Sequence, residues 1–245
     1  VYSKMFNAKL TQVNFDENLN LPADRIIENF SNSTKLICIA NPNSPTGTVI
    51  SLKNLEKIIA VASEYGTLVL IDEAYYQFWG SSAINLVSDY DNLIIIRTFS
   101  KALGLASVRL GYLVSTSEIV SHLFRVRPMY EVNGLAVNLG VYMLEHPEIS
   151  TNFVNEIEQS RNWLKEILSK DGFNVAPGFA NFVLINVGNR ERAAQIAKYL
   201  LKEKIVIKGG FSDTGMTPYI RVGLGTMEQM MYFLEKFRKA VKEII

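Results

Sequence analysis

Four short apolar runs, Leu36–Ala40, Leu68–Ile71, Leu93–Arg97 and Gly111–Val114, recur through the first half of the chain. Each is shorter than a helix needs and several are rich in β-branched residues, so each reads as a strand. A different rhythm lies between the first two. Leu52, Leu55, Ile58, Ile59 and Ala62 share one face of a helix over 51–65, with Ser51 as its N-cap and Gly66 as its stop. Strand, helix, strand is a βαβ unit, whose crossover makes the joined strands parallel. Runs without polar alternation predict strands covered on both faces, with the thiol of Cys38 buried among them. The first half is therefore constrained to an α/β domain: three layers built on a mostly parallel sheet.

The second half changes rhythm. Helical patterns over Val132–Glu145 and Glu148–Ser169 are separated by His146-Pro147, and the second stops at Asp171-Gly172. Strand-like runs follow at Phe173–Ala176, Phe182–Val187, Ile205–Lys208 and Tyr219–Val222, interleaved with helices at Arg190–Lys202 and Met227–Ile244. This predicts a smaller C-terminal α+β domain, and we place the division at 1–135 and 136–245.

A formal net charge of +1 gives no electrostatic footprint for nucleic acid or an anionic membrane. No apolar run approaches the roughly 20 residues that span a bilayer. His122 and His146 do not group with acidic residues or Cys38 at ligand spacing, so no metal site is expected. A lone cysteine is compatible with a reducing cytoplasm. The chain opens on Val1 in what reads as mid-domain sequence, without the apolar core of a signal peptide, and we expect a native N-terminal part to precede it.

Chemistry concentrates at the predicted strand ends. Lys101 stands where the Leu93 strand runs into a glycine-containing loop, the edge at which open α/β sheets bind ligands. Ser100 offers a hydroxyl and Arg109 a guanidinium, a pair suited to phosphate. An amine beside a phosphate site suggests a Schiff-base lysine holding a phosphorylated aldehyde, with pyridoxal phosphate foremost. A solvated lysine is the plain alternative. Asp72, in Asp72-Glu73-Ala74-Tyr75, follows a buried run, where a carboxylate needs a cationic partner or serves as a helix N-cap. Asn43 sits in the fixed turn Asn41-Pro42-Asn43-Ser44-Pro45-Thr46-Gly47. Arg221, within a second-half strand, suits either bidentate carboxylate recognition or a structural ion pair.

Taken in order, Asn-Pro-Asn-Ser-Pro-Thr-Gly, Asp-Glu-Ala-Tyr, Ser-Lys-Ala-Leu-Gly-Leu-Ala-Ser-Val-Arg-Leu-Gly-Tyr and Arg-Val-Gly-Leu-Gly-Thr closely resemble the class I/II aminotransferases, the fold-type-I pyridoxal-phosphate enzymes. The histidinol-phosphate aminotransferases are the most similar subgroup, and the resemblance runs from Tyr2 to the C-terminus. It implies that Lys101 carries the cofactor and moves the substrate's α-proton, and that Asp72 keeps the pyridine nitrogen protonated. Tyr75 and Asn43 would bond the phenolic oxygen, Ser100 and Arg109 the phosphate, while Tyr2 stacks on the ring. Arg221 would clamp the substrate carboxylate. Lys208 stands on the substrate side where this subgroup usually has arginine, and keeps the charge but not the fork. Ser44 precedes Pro-Thr-Gly where asparagine is common. A homodimer with shared active sites is also implied.

The expected function is amino transfer between glutamate or 2-oxoglutarate and a phosphorylated amino alcohol or amino acid. The alternatives are a decarboxylase of threonine or serine phosphate on the same scaffold, or the ligand-sensing module of a transcription regulator. Fold alone does not choose among them.

Overall fold

The computed structural model describes residues 2–212 and 215–244. The chain begins with two short helices, α1 (Tyr2–Met5) and α2 (Ala23–Ile27), and then enters β1 (Leu36–Ala40). After it come α3 (Leu52–Glu64), β2 (Leu68–Asp72), α4 (Tyr76–Trp79), β3 (Leu93–Thr98) and β4 (Gly111–Val114). α5 (Ser117–Phe124), α6 (Gly134–Glu145) and α7 (Pro147–Lys170) lead to β5 (Asn174–Val175), β6 (Phe182–Asn186), α8 (Arg190–Lys202), β7 (Tyr219–Gly223) and α9 (Met227–Ile244).

The first sheet has the order β1-β2-β3-β4, with β1, β2 and β3 parallel and β4 antiparallel to β3. α3 forms as the spacing predicts. Ser51 caps it by accepting the Asn54 N–H at 3.3 Å, and Gly66 follows its end at φ +61°. Its face of Leu55, Ile58, Ile59 and Ala62 packs on Val69, Ile71, Leu93 and Ile95. That face of the sheet is the first core.

β3 is buried along Leu93, Ile94 and Ile95, as an unalternating run requires. β1 departs from that expectation: Leu36 is 49% exposed and Cys38 is exposed too. The exposure follows the face of the sheet rather than the strand: Leu68, the partner of Leu36 on β2, is 37% exposed although β2 is bonded on both sides, and both lie opposite the face that α3 covers.

The second sheet, β5-β6-β7, is antiparallel throughout. Side chains alternate across it. Val183, Ile185, Ile220 and Val222 face a core shared with Leu164 and Leu168 of α7, Ile196 and Leu200 of α8, and Phe233 and Phe237 of α9. Phe182, Leu184, Tyr219 and Arg221 occupy the opposite face. Two expected strands shrink: Phe173–Ala176 keeps only Asn174–Val175, and Ile205–Lys208 only a single bridge from Lys208 to Arg221. Directly after that bridge, Gly209 runs so close to α8 that a side chain there would strike the Ala193 carbonyl.

α7 joins the two regions. Pro147 starts it, where a missing N–H costs nothing, and its 24 residues extend about 36 Å. Phe153, Val154 and Ile157 pack near Tyr75 of the first region, whereas Leu164 and Leu168 enter the second core. Its C-terminal cap, Asp171, accepts Arg238 Nε at 2.7 Å and Nη2 at 2.9 Å from α9. These bonds hold the Asp171 carboxyl below the usual carboxylate range. The pair is solvent-screened, so Arg238→Ala is expected to cost at most about 1 kcal/mol at neutral pH. A depressed carboxyl contributes above its unfolded value near 3.9, and the contribution fades as pH falls through the lower folded value. Urea unfolding of both proteins at pH 7 and pH 3 checks this: the difference should shrink at pH 3.

Candidate active site

Register brings the sequence motifs together. Ala40 pairs with Asp72, and Asp72 with Ile96, so three parallel strands end in one row. The loop after each therefore leaves from the same edge.

After β1, the buried Asn41 closes its own turn by bonding both backbone groups of Ile50, accepting at 2.7 Å and donating at 3.2 Å. Asn43 N–H donates to Thr48 O at 2.9 Å, and its Nδ2 donates to Thr46 Oγ1 at 2.7 Å. One Asn43 N–H thus remains for a ligand. Gly47 must be glycine here: its φ is +78° and a Cβ would lie 3.2 Å from Gly178 Cα. Its carbonyl accepts Phe179 N–H at 2.8 Å, docking this turn onto the loop that precedes β6.

After β2, Asp72 Oδ1 accepts Ala74 N–H at 2.9 Å, so the carboxylate folds the turn that carries Tyr75. Asp72 stands at the end of a strand rather than at a helix N-cap; α4 begins after Tyr75. Tyr75 is buried and meets Phe182 edge-on, ring centres 5.6 Å apart at 90°.

After β3, the chain loops out and returns. Phe99 N–H to Leu110 O at 3.0 Å closes the loop, so Ser100 is the residue that follows this closure and Arg109 the one that precedes it. Arg109 holds φ +56°, a left-handed conformation that costs a side-chain-bearing residue about 1–3 kcal/mol and recurs at ligand sites. Its Nη1 donates to Ala106 O at 2.9 Å, which turns the guanidinium over its own loop. Lys101 Nζ lies 5.3 Å from the centre of the Tyr75 ring.

The inner face of the second sheet completes the site. The Arg221 guanidinium lies 4.0 Å above the Phe182 ring, a cation–π contact. Lys208 and Arg221 exchange both backbone hydrogen bonds, at 3.1 and 2.7 Å, so their side chains leave the same face. Lys208 Nζ sits 5.0 Å from the Phe211 ring. Lys101, Tyr75, Phe182 and Arg221 thus form one line of contacts from the first sheet edge to the second sheet. Among the described residues, no Asp or Glu oxygen lies within 4.0 Å of Lys101, Arg109, Lys208 or Arg221. Four cations without a described acidic partner favour an anionic ligand over structural ion pairing. The side chain of Tyr2 lies outside the described residues.

Sequence reasoning missed three supports. Phe182 stands at the start of a predicted strand, and nothing local marks it as the platform between Tyr75 and Arg221. Arg161 of α7 is buried, which pulls its guanidinium below its usual value, and donates to Ala180 O at 3.2 Å beside that platform. Leu19 holds φ +62° in a turn folded by Asp16, enters the cluster of Leu184, Phe211 and Tyr219, and offers its carbonyl to Thr48 Oγ1 at 2.9 Å. The signal for Leu19 was Asp16 followed by Asn18 and Asn20, a turn composition.

Pyridoxal phosphate fits the side chains present. An amine, a carboxylate with one oxygen free of protein bonds among the described residues, and a hydroxyl–guanidinium pair match its aldehyde, ring nitrogen and phosphate.

The family model described as aminotransferase class I and II matches residues 3–237. A histidinol-phosphate aminotransferase of Clostridium novyi is 34% identical over 231 residues, covering 94% of this chain and 63% of the relative. This chain therefore spans less than two thirds of that protein's length. The structure of histidinol-phosphate aminotransferase from Sinorhizobium meliloti in complex with pyridoxal-5'-phosphate superposes with TM-score 0.86 at 21% identity, covering all of this chain and 67% of the other. The L-threonine-O-3-phosphate decarboxylase of Porphyromonas gingivalis gives TM-score 0.79 at 21% identity, covering 98% and 72%. At such identities the two structures show a shared fold alone, the fold of pyridoxal-phosphate-dependent aminotransferases with its mostly parallel α/β sheet. With residues 3–237 of its 245 matched by the family model, this chain belongs to the class I and II aminotransferases.

Proposed function

We propose that this chain supplies the active site of a pyridoxal-phosphate-dependent aminotransferase. It would move an amino group between glutamate or 2-oxoglutarate and a phosphorylated amino alcohol or amino acid of the histidinol-phosphate type. The observation that carries this reading is the line Lys101–Tyr75–Phe182–Arg221, an amine and a guanidinium at opposite ends of one aromatic bridge.

The cofactor, when bound, supplies an electron sink that acidifies the substrate's α-carbon. Lys101 Nζ would hold it by its aldehyde carbon and would move the proton at that α-carbon. Asp72 would keep the proton on the ring nitrogen. Tyr75 and Asn43 would donate to the phenolic oxygen, Ser100 and Arg109 would donate to the phosphate, and the family resemblance gives Tyr2 the place against the ring. Arg221, fixed on Phe182, receives the α-carboxylate through its two-pronged fork. Lys208, leaving the same face, meets the substrate's second anionic group as a point charge.

Residues 1–135 would form the cofactor-binding domain and 136–245 the smaller domain that brings Arg221 to it. A homodimer with shared sites belongs to the same proposal, supported by exposed apolar side chains from Phe124 and Met129 to Leu135, Tyr142 and Leu144. Among the described residues no helix is long and apolar enough to cross a membrane. A cytoplasmic location belongs to the same proposal, by the family resemblance alone.

The test is an absorption titration of the full chain with pyridoxal phosphate, then glutamate, then 2-oxoglutarate and histidinol phosphate. Aminotransfer predicts that glutamate bleaches the visible band, releasing 2-oxoglutarate. Release of carbon dioxide from threonine phosphate with the band intact would replace this reading with decarboxylation. Arg221→Lys is expected to raise KM for glutamate on the order of tenfold or more with little change in kcat. The charge stays but one fork bond is lost, and bonds to charged groups contribute about 1.5–3 kcal/mol.

A further inference from the structure

The segment from Asp72 to Tyr76 divides its side chains between two jobs. Asp72 and Tyr75, three apart, belong to the candidate site. Glu73 and Tyr76, also three apart, both grip Arg97 on β3. Strand alternation sends Glu73 to the face opposite Asp72. There Glu73 is 1% exposed and the Arg97 side chain 10%.

Each polar side-chain atom of Glu73 and Arg97 is engaged. Glu73 Oε2 accepts Arg97 Nε at 3.0 Å and lies 2.9 Å from Nη2, while Oε1 accepts the Ala83 N–H at 2.7 Å. Ser82 Oγ bonds the carboxylate at 2.8 Å and accepts Arg97 Nη2 at 2.7 Å. Arg97 Nη1 donates to Tyr112 OH on β4 at 3.3 Å, and the guanidinium lies 3.7 Å from the centre of the Tyr76 ring. The Glu73 N–H donates to Ile96 O at 2.9 Å, carrying the β2–β3 ladder one residue past Asp72. The end of β2, which presents Asp72 and Tyr75, is thereby fixed to Arg97 near the end of β3, four residues before Lys101.

Stability alone does not account for an ion pair here. A buried pair contributes little net stability compared with apolar side chains of the same volume, because both charges must leave water. What a fully satisfied polar cluster provides is a single geometry. We propose that Glu73 and Arg97 form a positioning clamp behind the sheet, one that sets Asp72 and Tyr75 against Lys101 and so fixes how firmly Asp72 holds the proton on the cofactor's ring nitrogen. The inference rests on the cofactor reading given above. It adds two positioning residues that touch neither cofactor nor substrate.

The experiment compares the unaltered full chain with Glu73→Leu/Arg97→Met, which removes both charges, and with Arg97→Lys and Asp72→Asn. Each is loaded with pyridoxal phosphate, and its visible band is titrated with pH beside thermal unfolding and steady-state kinetics. Because both charges leave together, the double variant is expected to fold, with Tm within about 5 °C of the unaltered chain. Its band should titrate at least about half a pH unit away from the unaltered midpoint, in the direction that Asp72→Asn moves it. Its kcat should fall on the order of tenfold with KM within about twofold, short of the 10²-fold loss that a 1 Å misplacement can bring. Arg97→Lys, which keeps the charge and loses the fork, should lie between. Should the double variant unfold, Ser82→Ala and Tyr76→Leu each remove one support of the clamp and carry the same test. A folded variant with unaltered midpoint and kcat overturns the clamp. A chain that shows no band, or one whose midpoint ignores Asp72→Asn, overturns the site assignment beneath it, and the two failures are thus told apart.

Discussion

Lys101→Ala is expected to abolish the visible band of bound pyridoxal phosphate and to lower the rate of amino transfer by at least about a thousandfold. Proton transfer by a positioned side chain contributes on the order of 10²–10⁴ in rate, and here the same amine also holds the cofactor. The fold should hardly notice the change. Lys101 is only half-buried, has no acidic partner among the described residues, and its amine meets the Tyr75 ring. Substitutions of that kind stay within about 0.5 kcal/mol. Loss of turnover would therefore be chemical, and unfolding curves alongside the spectra would show it. A small primary amine added to the medium should restore part of the proton-transfer rate but not the covalent attachment. Persistence of both band and rate in the alanine variant would remove Lys101 from its role and the cofactor reading with it.

Phe182→Ala is the change with the largest expected effect on stability. The ring is 1% exposed at the centre of a cluster with Tyr75, Phe78, Ala102 and Ile157. Truncating a buried phenylalanine costs about 3–5 kcal/mol through lost burial and the cavity left behind. That cost is a large part of a typical domain's 5–15 kcal/mol. A second consequence is local. Tyr75 loses its edge-on partner, and Arg221 loses the face on which it rests, a contact worth about 0.5–2 kcal/mol. Phe182→Leu separates the two effects, since it refills most of the space without a ring. Urea unfolding should rank the unaltered chain above the leucine variant and both above alanine. In the folded leucine variant KM for glutamate should rise several-fold while the cofactor band is kept. A leucine variant with unchanged KM would deny Phe182 its role as the platform of Arg221.

Much of the site is legible along the chain because parallel strands share an edge. Once Leu36–Ala40, Leu68–Asp72 and Leu93–Thr98 are strands of one parallel sheet, the loops holding Asn43, Asp72 and Lys101 must leave together. Local chemistry carries α3 equally well, since its cap, stop and apolar face lie within sixteen residues. Contacts between distant segments are another matter. Cys38 looks buried by its neighbours in sequence, yet is exposed because it lies on the face of the sheet opposite α3. Glu73 reads as a companion of Asp72, and only the approach of Arg97 and Ser82 makes it a buried clamp.

What the sequence by itself determined is the inventory and the direction: which residue types follow which strands, and that those strands run parallel. Periodicity and turn composition encode this, and both are local. Only the tertiary structure decided that Arg221, separated from Lys101 by 119 intervening residues, faces it across Tyr75 and Phe182. That meeting depends on how the second sheet docks. The docking is fixed by the Gly47–Gly178 approach and the Phe182 cluster, side-chain shapes matched across the fold that no window of sequence contains.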